Sequence, residues 1–168
     1  MYNLGYACIN MGLNSLPKSE RVTTNRSMIR RTFDAKGLPY ASELALQNCL
    51  DLERIIQWNE DNNIKFYRVS SDILPWHSEY ELEELPDFRA IASSLHRAGS
   101  LAKLYGQRIT THPGPFNKLT SPRAHVVTNT IVDLENHGRI FDLMGLPRSP
   151  YAKINIHVGA HYNDKQMA

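Results

Sequence analysis

Two histidines end short apolar runs in this chain. His112 closes Ile109-Thr110-Thr111 and is followed by Pro113-Gly114-Pro115-Phe116, and His157 closes Ile154-Asn155-Ile156. A third run, Ile64 to Ser70, leads into Ser71-Asp72 and then His77 and Glu79. Neutral imidazole and carboxylate are the usual protein ligands for divalent transition metals. If the run ends converge, His112 and His157 could share one ion, with Asp72, His77 or Glu79 supplying a further donor. The alternative is that each histidine is a hydrogen-bonded structural residue. His96, His125 and His137 fall within helical patterns, where exposure is the default, and His161 is ambiguous.

Convergence requires an architecture that gathers strand ends. Leu4 to Ile9 is short, apolar and bounded by polar residues, as a buried parallel strand would be. A polar stretch runs from Asn14 to Pro39. Leu44, Leu46, Leu50, Leu52, Ile55, Ile56 and Trp58 then recur near helical spacing, which predicts a helix over 42–59. The unit repeats: a strand over 64–70, a helix over 86–106 with Ile91, Leu95, Ala98, Leu101, Ala102 and Leu104 on its apolar face, a strand over 108–111, a helix over 122–143, and a fourth strand over 153–158. Strands alternating with helices of this length imply a parallel sheet with right-handed crossovers. A doubly wound sheet would carry a glycine-rich phosphate loop after its first strand, and Tyr6-Ala7-Cys8-Ile9-Asn10 does not. A TIM-barrel-like (β/α) fold fits better, because its chemistry collects at the C-terminal ends of several strands at once.

Composition narrows the class without naming a partner. The chain has 168 residues, 42% hydrophobic and 21% charged, and 19 Lys and Arg against 17 Asp and Glu give a net charge of +2. That is an ordinary globular domain, too mildly basic for charge alone to announce a nucleic-acid binder. No apolar run approaches the roughly 20 residues of a membrane helix. Cys8 and Cys49 sit in apolar segments with no secretory signal, so free thiols in a reducing compartment are expected, cytoplasmic in a prokaryotic or viral setting and nuclear in a eukaryote.

Several stretches occur together in an order that resembles the UV damage endonucleases: Gly5-Tyr6-Ala7-Cys8-Ile9-Asn10, Thr24-Asn25-Arg26, Asn48-Cys49-Leu50-Asp51-Leu52, Phe66-Tyr67-Arg68-Val69-Ser70-Ser71, Gln107 to Gly114, Ser121-Pro122 and Ile154 to Gly159. The resemblance covers essentially the whole chain. It implies a barrel of the endonuclease IV type, treated as a single domain over 1–168, that nicks duplex DNA immediately 5′ to lesions such as pyrimidine dimers. The implied cofactor is a cluster of divalent metals, Mn²⁺ first, with Mg²⁺ or Zn²⁺ as alternatives. By the same resemblance His112 and His157 are metal ligands. Glu79 stands where family members carry a histidine in Pro-x-x-Ser-His, and His77, two residues earlier in Pro75-Trp76-His77-Ser78-Glu79, is the other candidate.

The resemblance also assigns DNA contacts. Pro115 and Phe116 occupy the position of a pair that probes the duplex opposite the lesion. Phe116 keeps an aromatic wedge, whereas Pro115 lacks the amide that could hydrogen-bond an orphaned base. Tyr6 and Asn10 match lesion-facing positions, and Lys165 matches a lysine placed to contact phosphate. Arg26, with Arg30, Arg31, Lys118 and Arg123, forms a prospective phosphate-binding rim. Only about four strands of an eight-stranded barrel are legible, however. The expectation is therefore a half-barrel completed by a C-terminal half or by self-association, poorly soluble or weakly active alone. Competing expectations are a catalytically silent module that binds distorted DNA, and an apurinic endonuclease or sugar-isomerase-like barrel.

Overall fold

The computed structural model describes residues 4–157 and Gly159. In chain order it contains β1 (Gly5–Ala7), α1 (Met11–Asn14), α2 (Arg30–Asp61), β2 (Phe66–Val69), two 3₁₀ turns (His77–Glu79 and Leu82–Glu84), α3 (Phe88–Leu104), β3 (Arg108–Thr111) and α4 (Ala124–Leu143). The three strands form a parallel sheet in the order β1-β2-β3. Gly5 pairs with Phe66, and Phe66 in turn with Arg108, so all three strands run out toward one end. This is the α/β alternation expected from the sequence.

The fourth strand is shorter than the expected 153–158. Among the described residues it is one parallel bridge, Ile154 to Thr111, held by Thr111 N–H on Lys153 O at 3.0 Å and Asn155 N–H on Thr111 O at 2.9 Å. Lys153 and Asn155 are exposed, so this segment rests on the β3 edge with little side-chain burial to extend the ladder. Val158 lies outside the described residues.

Helix α2 begins at Arg30, twelve residues before the apolar period becomes readable, and contains Pro39. Gly37 breaks the helix with φ 61° and ψ −157°, a conformation suited to glycine, and this separates a polar first segment from the buried one. Beyond the kink Ala41, Leu44, Ala45, Cys49, Leu52, Ile55 and Ile56 are buried. Leu50, expected on the apolar face, is exposed.

In α3 the buried stripe is Ile91, Leu95, Ala98 and Ala102, while Leu104 is 75% exposed at the helix end rather than in the core. Gly99 has a steric reason: a Cβ there would sit 1.8 Å from the Met144 carbonyl oxygen, so α3 and the end of α4 meet backbone to backbone. Tyr67, Val69 and Ile109 point from the sheet into this helical layer. On the alternate positions Gly5 and Ala7 are exposed, Phe66, Arg68 and Arg108 are half-buried and Thr110 is buried, so the opposite sheet face is covered at the β3 end and open toward β1. Both cysteines are free, Cys49 buried and Cys8 half-buried. No helix among the described residues is long and apolar enough to cross a membrane.

Candidate active site

Parallel strands bring their ends to one side of the sheet, and the histidines follow. His112 comes directly after β3, and His157 follows the bridged Ile154 three residues on. Their ring centroids are 4.5 Å apart with planes at 90°. His112 is half-buried and His157 exposed, so the pair is open to a ligand. Lys153 O and Asn155 N, hydrogen-bonded to Thr111, set the register that places the two rings side by side.

His77 and Glu79 take different places. Trp76 has φ 61°, a left-handed conformation uncommon for so bulky a residue. It is held there by its indole N–H on Met28 O at 3.0 Å and by stacking on Phe33. The turn that follows buries His77 to 5% exposure and leaves Glu79 at the surface, 3.1 Å from Arg30 Nη1. His77 instead meets two residues of α4. Its Nε2 lies 3.4 Å from Asp133 Oδ1, and His137 Nε2 lies 3.6 Å from Asp133 Oδ2. One donor atom from each of the three residues falls within 4.8 Å of the others.

His137 corrects the expectation that helical histidines are exposed: it is 2% exposed, whereas His96 and His125 are at the surface. Burial against the His77–Glu79 turn is the reason, since α4 lays one face on it and Asn136 donates to His77 O at 2.7 Å. The Asp133-x-x-x-His137 spacing is the signal that could have found the cluster, because residues four apart share a helix face. Burial lowers the pKa of both rings, that of His137 to about 4, with His77 adding to the effect and Asp133 opposing it. At neutral pH the rings are therefore uncharged, and their contacts with Asp133 are not ion pairs.

Residues 114–117 form a turn, with Asn117 N–H on Gly114 O at 3.1 Å. Asn117 Nδ2 donates to Asp133 Oδ2 at 2.7 Å, and Lys118 N–H donates to Thr130 Oγ1 at 2.9 Å, so the loop is tied to α4 at two points. Immediately before these ties Phe116 is 88% exposed and packs under nothing. Phe116, Asp72, His77 and Asp133 line one cleft of about 460 Å³.

The first strand end is internally bonded. Asn10 caps α1 by accepting from Leu13 N–H at 3.0 Å and donates to the Tyr6 hydroxyl at 2.9 Å; that hydroxyl donates to Asn59 Oδ1 at 2.7 Å. Burial raises the Tyr6 pKa. Arg26 staples its own loop, with Nη1 on Thr23 O at 2.6 Å, Nη2 on Arg21 O at 3.1 Å and an ion pair to Asp51 at 2.7 Å. Arg31 and Arg123 are exposed, and Lys118 is half-buried. Arg21, Arg26, Arg54 and Lys18 line a second, larger hollow of about 910 Å³. Lys165 and His161 lie outside the described residues.

A family model described as UV-endonuclease UvdE matches residues 2–168. A UV-damage endonuclease of Schizosaccharomyces pombe is 37% identical over 165 residues, covering 97% of this chain and 27% of that protein. A putative UV-damage endonuclease of Acanthamoeba polyphaga mimivirus is 33% identical over 167 residues, covering 99% of this chain and 49% of the other. Among solved structures, one titled Crystal Structure of SacUVDE superposes with a TM-score of 0.80 at 27% identity, over 99% of this chain and 53% of that one. The chain thus spans between about a quarter and a half of the relatives it matches.

Proposed function

Because this chain belongs to the UV-endonuclease UvdE family, we propose that it forms the first half of a DNA repair nuclease that nicks the backbone 5′ to UV lesions by metal-assisted hydrolysis. The observation that carries the reading is the His112–His157 pair, one half-buried and one exposed imidazole set perpendicular at 4.5 Å, just past β3 and the segment bridged to it. Two imidazoles in one mouth fit part of a divalent-metal donor set, with a carboxylate such as Glu79, or His77, as the further candidate. A bound Mn²⁺-type ion supplies charge neutralisation at phosphate and a water of lowered pKa. The chain's own side chains do the rest: His112 and His157 hold the donor geometry, and the rim of Arg31, Lys118 and Arg123 positions the backbone.

Phe116 acts as the wedge. Its exposure next to the anchored Asn117 and Lys118 suits insertion into a base stack, which a sugar-isomerase pocket has no use for. Pro115 adds rigidity but no donor, and Tyr6 and Asn10 shape the lesion side from the first strand end. Lys165 is proposed to contact phosphate. The partly covered sheet face and the share of each relative that the chain spans support a four-strand portion of an eight-stranded barrel. Later strands, or a second copy, would complete both the sheet and the ligand set. Among the described residues only two donors stand at the His112–His157 mouth, which favours the second reading, binding of distorted DNA without cutting, for the chain on its own.

Nicking of dimer-containing and abasic duplexes, by the chain alone and joined to the remaining strands of a family relative, separates these readings. Manganese-dependent cutting 5′ to the dimer, much stronger in the joined form, is the expected result. Cutting that survives dialysis against excess chelator overturns the mechanism.

A further inference from the structure

We propose that His77, Asp133 and His137 form a second divalent-metal site, of the zinc type, separate from the His112–His157 mouth, and that the ion clips the Phe116 loop to α4. This goes beyond the reading above, since it assigns His77 to a different centre. The donors have the right type, a His₂Asp set, and the right spacing. His77 Nε2 and His137 Nε2 lie 3.4 and 3.6 Å from the two Asp133 oxygens. Ligands at roughly 2.0–2.1 Å from a tetrahedral ion are separated by about 3.3 Å, so small side-chain shifts close the site. The same separations are long for hydrogen bonds.

The second observation is independent of spacing. His137 Nε2 is buried without a hydrogen-bond partner, in a residue only 2% exposed. A buried, unsatisfied imidazole nitrogen is costly and calls for a ligand. Thr111 Oγ1 lies 3.5 Å from His137 Nδ1 and donates to Val69 O, so its oxygen can accept a weak hydrogen bond from Nδ1–H and leave Nε2 as the bare lone pair facing Asp133. His77 and Asp133 line the 460 Å³ cleft, which gives an ion a way in and leaves a fourth position for water. Imidazole with one carboxylate selects zinc-like ions over Mg²⁺ or Ca²⁺, which take all-oxygen sets.

Asp133 makes the site consequential. It also accepts from Asn117 Nδ2 at 2.7 Å and from Ser78 Oγ at 3.2 Å, so fixing its carboxylate fixes both the loop beside Phe116 and the turn carrying His77. An ion here would hold the wedge still while leaving the strand-end pair free.

The test uses Zn²⁺ and its spectroscopic stand-in Co²⁺ on the 168-residue chain. One tightly bound equivalent is expected, with the intense visible bands of four-coordinate Co²⁺. H112A/H157A should keep it, while D133N and H137Q, each checked for fold by circular dichroism, should lose it by at least tenfold in affinity. Zn²⁺ should also slow tryptic cleavage after Lys118 severalfold in the unaltered chain, and not in D133N. Absence of four-coordinate Co²⁺ bands in the unaltered chain overturns the proposal without reference to any variant, as does equal retention in D133N and H137Q. Loss of the ion in H112A/H157A alone would place the metal at the strand ends, and would overturn this inference while leaving the nuclease reading intact.

Discussion

The two histidine clusters of this molecule differ in how they are built. His112 and His157 come from strand ends, are open to solvent, and owe their proximity to backbone pairing between Thr111 and the Ile154 segment. His77, Asp133 and His137 come from a 3₁₀ turn and a helix, are largely buried, and owe their proximity to side-chain packing. A parallel sheet fixes the first kind wherever the strands form, so it tolerates change in the helical layer. The second kind depends on α4 lying in place. The sites should therefore fail under different perturbations.

The largest expected effect separates them by chemistry. On the proposed reading, H112A/H157A should reduce manganese-dependent nicking by at least a hundredfold, measured in the form carrying the remaining strands, because two donors of the proposed metal set are removed at once. The fold should survive, as neither ring is in the core. Gly99→Ala attacks the other side of the comparison. A methyl group 1.8 Å from the Met144 carbonyl forces α3 and α4 apart, at a cost of about 2–3 kcal/mol read from denaturant melts. It should weaken Zn²⁺ retention more than it changes the His112–His157 mouth.

Acidity gives the third contrast. Both buried rings have folded pKa values below that of a free histidine, His137 at about 4. The unfolded chain therefore binds more protons between roughly pH 6.5 and 4, and stability of the metal-free chain, complete above that window, falls as pH drops through it. Melting temperature against pH should show this slope, reduced in H137Q. The smallest effect concerns the wedge. Phe116→Ala removes a side chain that contacts almost nothing in the free protein, so stability should move by less than about 0.5 kcal/mol. Preference for lesion-containing over undamaged duplex should drop by roughly tenfold, the scale of one lost stacking contact.

How legible each cluster was in the sequence follows from the same difference. Strand ends can be read one chain segment at a time, from apolar runs bounded by polar residues, so His112 and His157 could be matched before any packing was known. The α/β alternation and the α3 and α4 spans were readable for the same reason. The first segment of α2 was not, because its residues are polar and Pro39 reads as a stop, while the Gly37 kink that accommodates it is a tertiary compromise. His137 was hidden because periodicity tells which residues share a face but not which face is covered. The turn that covers it depends on Trp76 in a left-handed conformation anchored by Met28, a contact 48 residues away in sequence. Leu104 and Leu50 failed the other way, fitting an apolar pattern yet lying where no neighbour arrives.

The most direct measurement maps the cut on an end-labelled duplex with one pyrimidine dimer, using the chain joined to the remaining barrel strands. With Mn²⁺ a single break immediately 5′ to the dimer is expected, absent after exhaustive chelation and absent in H112A/H157A. A break of unchanged position and rate in that double variant would contradict the assignment of the strand-end histidines to the reaction.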